Sequence, residues 1–210
     1  MITTLIFDLG GVVVRETPNT WSNIIKHISK KFVITPSIIS QLKQEELPHI
    51  LTGKLTLLDF YNKLILLLNR RDLHAKALLQ AHLEIYEKCS GTFDEDMLML
   101  IKNLRQHYQV VCFTNTEHEV ALHNRKKGLF DHFEKAYIST ELGLKKPDRE
   151  SYEAVLSDLK IKPNQAVFID NSQEYVQGAI DIGIHGVLYT GKMGILREDL
   201  SKLGIKLPLL

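Results

Sequence analysis

The chain has little cysteine, little net charge and no long apolar run, and each shortage removes a class of protein. Two cysteines, Cys89 and Cys112, stand among 210 residues, too few for a disulfide framework. Cys112 lies in an apolar stretch and reads as a small buried side chain. The formal net charge is +1, so the bulk electrostatic attraction that draws proteins to nucleic acids or membrane surfaces is missing. Neither partner is expected. Runs such as Leu64 to Leu68 are far too short to span a bilayer. Strand-like sequence starts almost at once, so no signal peptide is expected and a cytoplasmic location follows. Internal repeats and low-complexity segments are also missing. What remains is ordinary globular composition, 44% hydrophobic and 24% charged. It fits one large domain, or a core domain with an insertion.

The most informative stretch is Leu5-Ile6-Phe7-Asp8-Leu9-Gly10-Gly11-Val12. Thr4 to Phe7 has the length and character of a buried strand. An unpaired carboxylate inside such a strand would cost several kcal/mol, so Asp8 belongs at its end. The glycines that follow allow unusual backbone angles and close approach of a ligand to the main chain. A carboxylate at the C-terminal end of a parallel strand lies where open α/β sheets place their chemistry.

From about Thr20 to Lys88 the spacing is helical. Trp21, Ile24, Ile25 and Ile28 share one face. Thr35-Pro36 reads as an N-cap and first helical position, and Thr56 with Asp59 as another helix start. Beyond residue 90 strands and helices alternate. Helices are expected over 94–107, 117–127, 148–159, 173–182 and 197–203, and strands over 110–113, 136–139, 166–169 and 186–189. Strands separated by helices imply a parallel sheet with right-handed crossovers. The fold class is therefore α/β, with residues 1–14 and 91–210 in the core and 15–90 an inserted helical module.

Parallel strands side by side would bring their C-terminal ends to one edge. That edge carries Asp8, Thr114-Asn115 and Asp170-Asn171, with Lys146 on a nearby loop. Each piece alone is common in structural turns and caps. Together they supply a nucleophilic carboxylate, groups to hold anionic oxygens, a cation and oxygen donors for a metal. This set suits phosphoryl transfer through an aspartyl intermediate.

Taken with their order along the chain, these residues resemble the four motifs of the haloacid dehalogenase superfamily. Phe7-Asp8-Leu9-Gly10-Gly11-Val12 is similar to the first motif, Thr114-Asn115 to the second, Lys146-Pro147 to the third and Phe168-Ile169-Asp170-Asn171 to the fourth. The wording is most similar to the sugar-phosphatase-like branch and to the phosphatase domain of soluble epoxide hydrolases. The resemblance implies a Rossmann-like three-layer α/β/α core, a cap formed by the helical insert and a Mg²⁺-dependent phosphatase acting on a small phosphate ester, as monomer or homodimer. It implies that Asp8 attacks phosphorus, that Thr114 and Asn115 hold non-bridging oxygens, and that Lys146 neutralises charge. Mg²⁺ would sit between Asp8, the Gly10 carbonyl and an acid or amide of the fourth motif, Asp170 or Asn171.

Two positions depart from the pattern. Family phosphatases usually carry a second Asp where Gly10 stands, as general acid and base, and removing such a group costs about 10²–10⁴-fold in rate. They also carry adjacent acids where this chain has Asp170 and Asn171. A protein that keeps the fold and binds a phosphometabolite or a protein without turnover is the competing expectation, and a dehalogenase ranks third. Arg15, Glu16, Trp21 and His49 are the insert residues that could face the site. Trp21 reads first as core of the insert, and His49 beside Pro48 as a solvated loop residue.

Overall fold

The first strand, β1 (Thr4–Phe7), is buried at every residue, as expected of a strand inside a sheet covered on both faces. In a computed structural model, which describes residues 1–15, 20–89, 91 and 93–207, it is the central strand of five. Its parallel neighbours are β2 (Gln109–Thr114) and β4 (Ala166–Asp170). Outside them lie β3 (Ala136–Ile138) and β5 (His185–Leu188), giving the order β3-β2-β1-β4-β5. Phe7 is in register with Cys112 on one side and Ile169 on the other. The three central strands therefore end together, and the chain reverses its direction of travel across the sheet at β1. Crevices at such a point are where this architecture binds ligands.

Helices α1 (Thr20–Phe32), α2 (Pro36–Leu51), α3 (Leu57–Leu68) and α4 (Ala75–Cys89) separate β1 from the rest of the core. They enclose a core of their own, with Ile24, Ile28, Ile39, Phe60, Leu64 and Leu78 at its centre. The Thr56 hydroxyl accepts the Asp59 N–H at 3.0 Å and the Asp59 carboxylate takes the Thr56 N–H at 3.2 Å, a reciprocal cap of the kind that fixes a helix start. Thr35 does precede α2, but its side chain makes no capping bond. His49 is exposed in the last turn of α2 rather than in a loop. Pro48 sits one residue before it inside the helix, and its ring is what makes the stretch read as a break.

The remaining helices are α5 (Glu95–Leu104), α6 (His118–Lys126), α7 (Ser139–Leu142), α8 (Arg149–Leu159), α9 (Gln173–Asp181) and α10 (Met193–Lys202). α10 begins four residues earlier than its apolar spacing indicates, because Gly194 in its first turn is a poor helix former and hides the start. Alternate strand residues face opposite layers, as the pleat requires. Leu5, Phe7, Cys112 and Ile169 pack with Leu100 of α5 and Leu200 of α10. Ile6, Val111, Phe113 and Phe168 pack with Tyr152 of α8 and Ala179 of α9. Among the described residues no helix is long and apolar enough to cross a membrane.

α6 meets the helical insert through several side chains. Val120 belongs to the insert's core. The Glu119 carboxylate accepts the N–H groups of Leu57 and Leu58, each at 3.1 Å, and so satisfies the free donors at the start of α3. Asn124 donates to the Tyr86 hydroxyl at 2.9 Å. Glu119→Ala is expected to lower stability by about 1 kcal/mol, the usual cost of an N-cap, which is about 2–4 °C in Tm for a chain of this size. Thermal unfolding of the variant beside the parent checks this.

Candidate active site

Backbone carbonyls at the end of β1 close a tight turn. Asp8 N–H donates to the Ile169 carbonyl at 2.9 Å, and the N–H groups of Val13 and Val14 both reach the Leu9 carbonyl at 2.9 Å. The turn needs Gly11. Its φ is +73°, and a Cβ there would stand 2.1 Å from Asn171 Nδ2. A side chain at position 11 would therefore meet both strain and collision, and glycine lets the Asn171 amide lie against the turn. Val14 then pairs with Phe93, and Arg15 Nε bonds Asp94 Oδ2 at 3.0 Å. The strand leaving the core and the strand returning to it run side by side. Arg15 is 65% exposed at its side chain and pairs with Asp94 rather than with a residue of the site. Glu16 lies outside the described residues.

The strand ends bring Asp8, Thr114 and Asp170 together. Lys146 arrives from the loop after α7 and is 1% exposed. Its ammonium lies 2.7 Å from Asp8 Oδ1 and 2.6 Å from Asp170 Oδ2. Three rings surround it, Phe113 at 5.4 Å, Phe168 at 5.3 Å and Tyr175 at 5.0 Å, within range of cation–π attraction. Burial works against the charged amine, but Asp8 and Asp170 outweigh it and hold Lys146 above its ordinary value. Burial raises the Asp170 carboxyl to about 6, and the Asp8 charge pushes the same way against the pull of Lys146. A buried ammonium between two carboxylates leaves one negative charge in excess. Such a cluster holds a cation or delivers charge to an anion at close range.

The other candidates take distinct places. Thr114 ends β2, is buried and lines a cavity of about 330 Å³ that also contains Asp8, Gly10 and Asn171. Asn115 turns sideways. Its Nδ2 donates to the Lys146 carbonyl at 2.9 Å and its Oδ1 accepts the Lys146 N–H at 2.9 Å. This double bond between loops fixes the backbone that carries the lysine. Asp170 stands behind Lys146, outside the cavity lining. One of its oxygens takes the ammonium and the other the Ser172 N–H at 2.8 Å.

Oxygen donors remain for a hard cation. Asp8, Gly10 and Asn171 all line the cavity, and no backbone N–H of a described residue donates to the Gly10 carbonyl. Mg²⁺ commonly needs only one or two carboxylates because it keeps several waters, so this donor set fits it. Among the described residues there is no group of three or more His, Cys, Asp or Glu that could hold a metal ion.

Two further residues join the cavity: Trp21, which the sequence offers as a residue that could face the site but which reads first as core of the insert, and Glu117, which the sequence does not single out. Trp21 belongs to the aromatic packing of the insert, 6.2 Å from Phe60 and 4.9 Å from His82 between ring centres, and it also lines the cavity. Its Nε1 donates to Glu117 Oε1 at 2.8 Å. Glu117 occupies the N-cap position of α6 without capping it. The only sequence signal for it is its place three residues after Thr114.

Comparison with known proteins identifies the family and the fold. A family model described as haloacid dehalogenase-like hydrolase matches residues 2–183. The rat bifunctional epoxide hydrolase 2 is 34% identical over 80 residues, 38% of this chain, and the matched stretch spans 14% of that protein's length. A D-ribitol-5-phosphate phosphatase of Bacteroides thetaiotaomicron is 25% identical over 87% of this chain and 89% of its own. A structure of a HAD family enzyme from the same organism, in complex with magnesium and inorganic phosphate, superposes with a TM-score of 0.74. It is 24% identical and covers 91% of this chain and 96% of its own, a likeness of fold.

Proposed function

The chain belongs to the haloacid dehalogenase-like hydrolases, and from that premise we propose that it is a Mg²⁺-dependent phosphatase of a small phosphorylated metabolite. The observation that carries this reading is the buried Asp8–Lys146–Asp170 cluster beside Thr114. Keeping three charged groups desolvated is costly without a task for them. The cavity volume of about 330 Å³ suits a small ligand. The threonines in its wall, Thr114 and Thr116, suit a hydroxylated leaving group, in line with the sugar-alcohol phosphate in the name of the Bacteroides relative.

In this reading Asp8 Oδ attacks phosphorus, the ester oxygen departs, and water later cleaves the aspartyl phosphate. Thr114 holds a non-bridging oxygen. Lys146 offers its ammonium to the phosphoryl group as charge moves there. Asn115 and Asp170 are positioning residues, one for the lysine's backbone and one for its side chain. Asp8, the Gly10 carbonyl and Asn171 are the groups that would hold Mg²⁺, which would supply further positive charge at the phosphoryl group. Residues 15–90 form the cap, which closes over the substrate and excludes water, on a core of residues 1–14 and 91–210.

Phosphate release by the purified protein, with Mg²⁺ and with chelator, tests the reading. Metal-dependent release supports it. No release from any phosphate ester favours the competing reading, a binding protein on the same fold, which Gly10 and Asn171 support. Asn171 also sets an expectation for the metal. A neutral amide in place of a carboxylate weakens attraction for a divalent cation, so Asn171→Asp is expected to tighten Mg²⁺ binding by about tenfold, measured by calorimetric titration.

A further inference from the structure

Resting on the phosphatase reading above, we propose that Glu117 is a catalytic residue, the acid that protonates the leaving oxygen in place of the carboxylate that Gly10 lacks. Phosphoryl transfer proceeds in line, so the leaving oxygen stands on the far side of phosphorus from Asp8. With Asp8 and Thr114 on the floor at the strand ends, that side faces the helical insert. Glu117 stands where floor meets roof. It follows Thr114 by three residues, opens α6, lines the same cavity and is tied by Trp21 Nε1 to the roof helix α1 at 2.8 Å. Among the described residues that line the cavity, Asp8 and Glu117 are the carboxylates. Asp8 is committed to phosphorus, which leaves Glu117 for the proton.

Burial raises the Glu117 carboxyl above its ordinary range, and Glu119 on α6 adds to this. The Trp21 N–H from α1 and the Lys43 ammonium from α2, which lies over the Trp21 ring at 5.1 Å, pull it down. Tyr61 of α3 feels the Glu117 charge in turn and is held well above its ordinary value, first by burial. The balance favours a larger protonated fraction near neutral pH than an exposed Glu would have. In the step itself the Asp8–phosphorus bond forms, the bond from phosphorus to the ester oxygen breaks, and the Glu117 proton passes to that oxygen. The alcohol leaves, and the Glu117 carboxylate takes a proton back from the water that cleaves the aspartyl phosphate.

Leaving-group dependence tests this. An alkoxide needs the proton, whereas 4-nitrophenolate departs without it, and kcat/KM reports the steps up to alcohol departure. Glu117→Gln keeps an acceptor for Trp21. It is expected to lower kcat/KM for alkyl phosphates, with the glycerol phosphates as probe, by at least about 10²-fold, and for 4-nitrophenyl phosphate by less than about threefold. The fall of wild-type alkyl phosphate turnover at rising pH, as Glu117 loses its proton, disappears in the variant. Equal losses on both substrates, or none, overturn the proposal. So does a wild-type enzyme that cleaves 4-nitrophenyl phosphate and no alkyl phosphate. Should Glu117→Gln fail to fold, Trp21→Phe serves. Losing an N–H donor to the carboxylate moves that alkaline fall to higher pH, and an unmoved profile overturns the proposal. Inactivity of the wild-type protein on every ester counts against the phosphatase reading itself.

Discussion

Asp8→Asn is expected to abolish turnover, with a fall in kcat of more than about 10⁴-fold, while the protein stays folded. Nucleophile substitutions in enzymes that work through covalent intermediates cost this much or more, because the attacking oxygen at the strand end is lost. The amide has the size of the carboxylate and keeps a carbonyl oxygen for Lys146. The ammonium also retains Asp170 at 2.6 Å, so no buried charge is left alone. Asp8 N–H still donates to the Ile169 carbonyl, since the backbone is unchanged. Circular dichroism and Tm within a few degrees of the parent, beside loss of phosphate release, are the expected pair of results. Acid-quenched turnover of labelled phosphate ester should leave label on the wild-type protein and none on the variant. Residual turnover within tenfold of wild type would remove Asp8 from the chemistry.

Lys146→Met should damage both stability and activity. The lysine is the shared counter-ion of two buried carboxylates, and truncating one partner of a buried pair costs about 3–5 kcal/mol. For a chain of this size that is a fall in Tm on the order of 10 °C. The loss of its charge at the phosphoryl group should lower kcat by about 10²–10³-fold. The stability deficit has a predictable pH dependence. Asp170 is already raised to about 6 by burial and by the Asp8 charge with the lysine present. Without that cation it rises further, while an unfolded Asp titrates near 3.9. A carboxyl whose folded value exceeds its unfolded value binds its proton more tightly in the native state. Stability is therefore fullest below about pH 4 on this account and is lost as pH rises through the folded value. The gap in Tm between variant and wild type should widen from pH 5 to pH 7.5. A constant gap would mean that packing of the lysine stem, not charge, explains the loss.

Much of the site could be read from short stretches because it sits at strand ends. Asp8, Thr114 and Asp170 each close an apolar run, and a polar residue there has a cost that marks it out. Capping at Thr56 and Asp59 was equally local. Distance along the chain hid the rest. Glu117 and Trp21 are 96 residues apart, and nothing near either one signals the other. Asn115 reads as an oxyanion contact until the loop that carries Lys146 is seen lying against it, with both ends of the amide used. Asp170 reads as a metal ligand until its two oxygens are found on Lys146 and Ser172.

By itself the sequence determined the α/β class, the strands, the order of the four motifs and the identity of the charged groups. These follow from periodicity and from the cost of burying polar atoms, which act over a few residues. Only the tertiary structure decided which groups share a counter-ion and which residues of the insert reach the cavity. It likewise decided that Glu119 and Asn124 of α6 bond to the insert. Those outcomes depend on contacts between segments far apart in the chain. Ion pairs and hydrogen bonds form only where packing brings both partners within about 3 Å, and local pattern does not encode that approach.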